Sequence, residues 1–457
     1  MPLNSIYKEF QKELRNSLSS RETPEMRVGA ELKFPLINPD GTAAGLEKLE
    51  LLWDFLESRG WEKETDPVSK EVAGCRKKGS QNHTVASTET GYAKTEFSLA
   101  HEENLFEVEK SLKTLKEELN EFQDINDVLF LCHGIHPVSR PCRDLMVKKS
   151  RTSVWDRIFK SNNHIPEEDG DDMHLFTVNA ASHVHVSAPE EDMVALVNVL
   201  NGFSSAQIAL TAHSSVWKGC VDSRYKCAAE TFWDRWIPDA GRVGVPDHPF
   251  ADLEDYVDSI ASFKPVFVKR NDMPILLPDY ATFSKYYSSG EASGFDIEGR
   301  KVTVTPSPED LQLHNTLYWF NARISGYYTV ENRLNDQQPE DALLAPSALT
   351  LGLSSAVGPA WEELSSISWE KLRTARKSAC CSGAEDDFSF ELAGKMLGAA
   401  SAGLKKRGLG EEIFLEPLSM RLKERRCPAD RAREIFNSGG MERLLQELKL
   451  KGIQRRF

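Results

Sequence analysis

The sequence predicts an α+β fold: a mostly antiparallel sheet with one polar face open as the floor of a catalytic cleft, helices over its other face, and a helical C-terminal tail. Three observations predict it. Residues 176–187, FTVNAASHVHVS, alternate strictly. Thr177, Asn179, Ala181, His183, His185 and Ser187 fall on one side and Phe176, Val178, Ala180, Ser182, Val184 and Val186 on the other, which is strand periodicity. Residues 28–36 and 94–99 alternate in the same way, and from 343 onward apolar residues recur at helical spacing almost to the C-terminus.

Taken in order, residues 1–25 read as an amphipathic helical extension, with Ile6, Phe10, Leu14 and Leu18 at intervals of four and a polar link ending at Pro24. In the first strand Val28, Ala30, Leu32, Phe34 and Leu36 form the apolar side, so Glu31 and Lys33 share the polar one. Residues 46–59 are a helix by the spacing of Leu46, Leu49, Leu52, Trp53 and Leu56, stopped by Gly60. Residues 85–99 are two extended pieces around a Thr-Gly turn, flanked by Glu89 and Glu96. Residues 104–122 form a helix with one apolar side, suited to covering a sheet, and 128–135, VLFLCHGI, read as a buried strand.

A charged loop at 138–170, containing most of the flexible PEEDGDDM, leads to the central strand. After it Pro189 opens a helix whose first turn holds Glu190, Glu191 and Asp192, favourable against the helix dipole, and Gly202 marks its end. A second helix runs into LTAHSSVWKG. Residues 238–315 read as loop-rich, with strand candidates at 265–268 and 274–277. The last strand, 327–334, puts Thr329, Glu331 and Arg333 on one face. Helices are expected at 343–353, 361–377, 388–406, 411–426 and 429–450, and the break at SACCSGAEDD divides a sheet-bearing core, 26–378, from a helical region, 379–457, packed on it.

Composition narrows the classes. The 457 residues are 40% hydrophobic and 28% charged, the balance of a globular chain, and 70 acidic against 56 basic residues give −14. That argues against a general binder of nucleic acid or of anionic membranes. No run of about 18 apolar residues occurs, and the first residues lack the apolar core of a signal peptide. The eight cysteines show no C-x-x-C and no metal-ligand spacing, so they are expected to be reduced thiols in a cytoplasmic protein, with Cys380 and Cys381 adjacent in a loop. Small-molecule substrates and a monomer or homodimer are expected.

The chemistry lies on the polar strand faces. His183 and His185 stand about 7 Å apart on one strand, a spacing that fits one small charged ligand as well as ordinary packing. Glu31, Glu89, Glu96, the two histidines, Glu331 and Arg333 all fall on the side away from the core of one sheet. Hard oxygen donors from several strands suit Mg²⁺ bridging to phosphates. An arginine beside such a glutamate suits a transferring phosphoryl group. The residues therefore point to nucleotide chemistry.

The same segments resemble the plant-type glutamate–cysteine ligases and their carboxylate–amine ligase relatives of the glutamine synthetase superfamily, over residues 26–435. RVGAELKFPL resembles the family's first strand, STETGYAKTEFS its acidic hairpin, SHVHVS its H-x-H strand and LTAHSSVWKG its Ala-Asn-Ser-Pro segment. VENRLNDQQPEDALLAPSALTLGL resembles the segment with the Glu-x-Arg pair, and KRGLGEEIFLEPLSMRLKERRCPADRA the helical tail of actinobacterial-type relatives. The resemblance implies a glutamine synthetase-like fold and a two-step reaction: ATP phosphorylates a carboxylate, usually the side chain of glutamate, and an amine such as cysteine attacks the acyl phosphate. It implies Mg²⁺ held by Glu31, Glu89, Glu96, His183 and Glu331, catalysis by Arg333, Glu331 and Glu31, and nucleotide contacts from His183, His185, Lys33 and Arg333. Arg151, in KKSRTSVW, matches an arginine that helps hold the amino acid, or is a solvated basic loop residue; Glu96 joins it at the substrate.

The sequence also departs from the family. Lys33 stands where a second glutamate is usual, removing a metal ligand or replacing a metal with an ammonium, and His213 stands for the usual Asn. Ala229 falls where relatives carry an arginine clamp, with Arg224 or Lys226 as possible substitutes. A non-catalytic nucleotide- or partner-binding relative and a guanidino-kinase-like phosphotransferase are the competing readings.

Overall fold

The computed structural model describes residues 2–20, 26–77, 84–150, 152–155, 170–236 and 240–452. After α1 (Pro2–Ser19), the first half of the chain supplies β1 (Val28–Ile37), α2 (Gly45–Ser58), β2 (Trp61–Thr65), β3 (Val72–Lys77), β4 (Val85–Ser87), β5 (Lys94–Ser98), α3 (Leu105–Asn126), β6 (Leu129–Phe130) and β7 (Ala181–Val186). Then come α4 (Glu190–Gly202), α5 (Ser204–Thr211), the short pair β8 (Val216–Trp217) and β9 (Cys220–Val221), and α6 (Phe232–Trp236). The next stretch holds β10 (Val243–Gly244), α7 (Leu253–Ser262), β11 (Phe267–Arg270), β12 (Met273–Leu276), α8 (Phe283–Tyr287), β13 (Ala292–Phe295), β14 (Lys301–Val304) and α9 (Pro308–His314). It continues with β15 (Trp319–Phe320), β16 (Ala322–Ile324) and β17 (Val330–Asp336). Helices α10 (Ala345–Ser354), α11 (Val357–Ser365), α12 (Trp369–Ser382), α13 (Asp387–Arg407), α14 (Glu416–Glu424) and α15 (Pro428–Leu448) follow.

The expected antiparallel sheet is present and large. Its order is β16-β17-β7-β1-β5-β4-β3-β2, with β6 also on β1, nine strands in all, and every pairing in it is antiparallel. In β1 the residues Val28, Ala30, Leu32, Phe34 and Leu36 are buried. They face α3 and α10, which pack on β1. Glu31 pairs with Ser98 of β5 and with His183 of β7, so the polar side of three neighbouring strands is one surface.

Local chemistry sets the ends of the helices. The Asn104 side chain accepts from the Glu107 N–H at the start of α3, and Asp127, at φ 51°, turns the chain out of it. Asp386 caps α13 and Gly408, at φ 73°, ends it, the residue types that such positions favour. Ile6, Phe10 and Leu14 of α1 are buried, and α1 packs on α7, α8 and α9. Two close backbone approaches matter: a Cβ on Gly403 of α13 would lie 1.9 Å from the Gly352 carbonyl of α10, and one on Gly134 would lie 2.7 Å from the Asp336 side chain.

Several expectations need correction. The central strand begins at Ala181, because residues 172–177 form a 3₁₀ turn nucleated by Asp171, whose side chain accepts from the Met173 N–H. Residues 238–315 are not mainly loop: β11 to β14 form a four-stranded sheet. The hairpin β2–β3 and the strand β16 carry no clear alternation and were not expected. The buried run at 128–135 pairs as a strand only at Leu129–Phe130. The helix expected at 361–377 is two, divided before Ser368, whose side chain accepts from the Lys371 N–H and starts α12 anew. Cys380 and Cys381 lie in the last turn of α12 rather than in a loop, so position 378 falls inside a helix. The helix expected at 411–426 begins as a 3₁₀ turn before α14. The link at 21–25 and residues 156–169 of the charged segment lie outside the described residues.

Candidate active site

Eight of the side chains singled out in the sequence converge on the polar face of β1, β5, β7 and β17. Glu31 sits at the centre. Its Oε2 is 3.1 Å from His183 Nδ1 and its Oε1 is 3.1 Å from His185 Nε2. Glu331 Oε1 is 3.8 Å and 3.9 Å from the same two nitrogens. Behind it, Arg323 Nε donates to Glu331 Oε2 at 2.8 Å, while Arg333 pairs with Oε1. His185 Nδ1 lies 2.8 Å from Thr329 Oγ1.

Beside this group, Lys33 is almost completely buried. Its ammonium lies 2.7 Å from Glu89 Oε1, 3.2 Å from Glu96 Oε2 and 3.2 Å from His183 Nδ1. Lys94 holds the other oxygen of Glu89 at 2.7 Å and also donates to Phe176 O and Asn179 Oδ1. Four glutamates thus meet two lysines and two arginines. The charges balance within the protein itself, which offsets much of the cost of holding them away from water.

The proton affinities follow. Burial pushes the Glu31 carboxyl up, but His185 and His183 outweigh it and hold it well below the usual carboxylate range. Burial also opposes ionisation of Glu331, and Arg323 and Arg333 overcome it. Lys33 is held above its ordinary value because Glu89 and Glu96 outweigh its burial, whereas burial and Lys33 lower His183 to about 4. A neutral His183 accepts from the Lys33 ammonium, which has only donors.

Glu31, His185 and Glu331 each offer a ligand atom, and these atoms lie within 4.8 Å of one another. Two carboxylates and an imidazole fit a divalent cation. Glu89 and Glu96 fit one less well, since Lys33 already lies between them.

Lys33, Glu89, His183 and Arg333 line one cleft, together with residues that sequence reasoning did not single out as a site. Trp233, Trp319, Phe176, Glu230 and Asp336 are among them; Ala229, where the sequence departs from the family, lines the cleft too. Asp336 was missed because β17 is irregular between Asn332 and Asn335. The irregularity shifts the alternation and brings an even-numbered residue to the face of Glu331 and Arg333. Arg323 was missed because β16 is three residues long, although the hairpin register sets it directly opposite Glu331; the Ser-Gly turn after Ile324 is the signal that could have found it.

Other candidates lie elsewhere. Lys226 is buried against the C-terminal helices, 2.6 Å from Asp430 and 2.9 Å from Glu385. Arg224 is on the surface, 3.7 Å from Asp222 and over the ring of Tyr225. Neither lines the cleft, so neither supplies the charge absent at Ala229. His213 is in the core, with Nδ1 2.9 Å from the Gln337 carbonyl. Arg151 lies outside the described residues.

The sequence profile described as glutamate-cysteine ligase family 2 matches residues 56–447. No curated protein matches the chain. Among solved structures, a glutamate–cysteine ligase from Francisella tularensis, in complex with AMP, superposes with a TM-score of 0.51 at 10% identity, covering 93% of this chain and 87% of that one. A bifunctional glutathione synthetase from Pasteurella multocida gives 0.50 at 11% identity, covering 95% of this chain, which spans about half (52%) of that one. At such identities the likeness is one of fold.

Proposed function

The chain belongs to glutamate-cysteine ligase family 2, and from that premise we propose that it is an ATP-dependent carboxylate–amine ligase of glutamine synthetase-like fold. It activates a carboxylate, the side chain of glutamate, as an acyl phosphate and transfers the acyl group to an amine. The observation that carries the reading is the convergence of Glu31, His183, His185 and Glu331 with Arg333 at one end of a cleft. The nucleotide in the Francisella structure supports it as well.

Glu31, His185 and Glu331 are the residues that would hold Mg²⁺; bound there it would neutralise charge on the transferring phosphoryl group. The rest is work for the chain's own side chains. Arg333 grips the phosphoryl oxygens with the part of its guanidinium that Glu331 does not use. Arg323 pins Glu331 from behind, so that carboxylate does not swing when Arg333 turns to substrate. Lys33 neutralises Glu89 and Glu96 and keeps the hairpin carrying them against β1. The substrate carboxylate attacks the γ-phosphorus and ADP leaves; the amine then attacks the acyl carbon and phosphate leaves.

As a ligase acting on small molecules it belongs in the cytoplasm, and among the described residues no single helix is long and apolar enough to cross a membrane. The test is ADP release from Mg·ATP and glutamate over a panel of amines. Glu331→Gln and Arg333→Ala should each lower turnover by at least about 10²-fold with the far-UV circular dichroism unchanged. Wild-type turnover in either, or no ADP with any amine, overturns the reading.

A further inference from the structure

The cleft contains a second group of side chains for which phosphoryl transfer has no use. Trp233 lies against Phe176, with ring centroids 4.1 Å apart, and against Trp319 at 5.8 Å and 23°. The three rings make one wall. Ala229, from the loop just before α6, offers only a methyl group beside them.

Facing the same space is Asp336, which is 3% exposed. Its Oδ2 accepts from the His213 N–H at 2.6 Å and from Ser214 Oγ at 2.8 Å, both neutral donors. Glu230 differs, because Arg376 Nε donates to it at 2.8 Å. Among the described residues, Asp336 is the carboxylate of this cleft with no cationic side chain against it.

We propose that the aromatic wall and Asp336 form the subsite for the amine co-substrate, and that the amine is one with an aromatic or aliphatic body and no carboxylate of its own. This rests on the ligase reading of the same cleft. A cation with an apolar body satisfies both features at once: its body packs against the aromatic wall, and its ammonium makes a charge-assisted hydrogen bond to the aspartate. An amino acid would bring its carboxylate towards Asp336, which has no cation against it among the described residues and repels it. Lys33 and Arg333 already hold Glu89 and Glu331.

Asp336 also has the basicity the step requires, since burial raises its carboxyl to about 7. The ammonium gives one proton to Asp336. The freed nitrogen pair bonds to the acyl carbon, the bond from that carbon to the phosphate oxygen breaks, and the second proton leaves with the phosphate.

The experiment titrates the full-length protein, without ATP, with 2-phenylethylamine and with phenylalanine, following tryptophan fluorescence. Saturable quenching by the amine, at least tenfold weaker with phenylalanine and lost in Trp233→Leu, is the expected result. Ala229→Arg, which adds a cation beside the wall, should reverse the preference; Asp336→Asn should lose amine binding, and if it fails to fold the other two variants still decide. ADP release and amide formation are then measured with ATP, glutamate and each ligand. Turnover that is best with phenylalanine or cysteine overturns the subsite and leaves the ligase. Quenching by the amine without ADP overturns the ligase reading and leaves amine recognition standing. Absence of quenching by phenylethylamine overturns the proposal.

Discussion

At the scale of single residues, Lys33 carries the most consequence. It is a cation built into the chain between two glutamates. Lys33→Gln removes that charge and leaves Glu89 and Glu96 facing each other in a buried place, a loss of about 3–5 kcal/mol for a broken buried pair. The variant should melt at lower temperature than the wild type and gain more from millimolar Mn²⁺ than the wild type does, whose own response comes from Glu31, His185 and Glu331. Equal response of both proteins to Mn²⁺ would show that Lys33 does not occupy a cation position. The sequence displayed the substitution itself, and the alternation of β1 displayed that Glu31 and Lys33 share a face. It could not display which carboxylates the ammonium chooses, because those come from a hairpin about 60 residues away. Nor could it display Asp336, whose place depends on an irregularity that leaves no mark in a period-two pattern.

At the scale of elements, strands with one wet and one dry face and helices with one apolar stripe were legible, because each states its geometry in the spacing of its apolar residues. β1, α2, α3, α4 and α13 lie within a few residues of their expected ends. An element whose two faces are similarly covered, such as β16, states nothing by periodicity, and position 366–368 interrupts a helix without a glycine or a proline. The crossing of α10 and α13 is where an element's geometry can be tested. Alanine at Gly403 gains about 1 kcal/mol of helix propensity, but its Cβ would sit 1.9 Å from the Gly352 carbonyl. Forcing the helices apart costs about 1–3 kcal/mol, so Gly403→Ala should lower the melting temperature, while Gly398→Ala, whose Cβ meets nothing within 4 Å, should hold or raise it. A higher melting temperature for Gly403→Ala would mean that the helices cross less closely than described.

At the scale of the whole molecule, one hydrophobic core runs from Ile6 of α1 through the sheet to Leu450. Lys226 and Cys227 donate from their backbone to the Cys380 carbonyl at 2.9 Å and 3.0 Å, fastening the C-terminal helices to the loop that bears Ala229 and Glu230. Thermal unfolding followed by tryptophan fluorescence and by far-UV circular dichroism should therefore coincide in one transition; two separated midpoints would mean that the C-terminal helices melt on their own. The buried Arg376 belongs to the same fastening, holding Glu230 at 2.8 Å and Asp234 at 2.9 Å. Glu230 lies 146 residues before it in the chain. Synthesis runs from the N-terminus at about 5–20 residues per second, so for several seconds the ribosome carries a nascent chain whose sheet is complete on one side while the cleft still lacks the residue that braces its wall. The wall of the cleft is thus braced only after the sheet beneath it has been made.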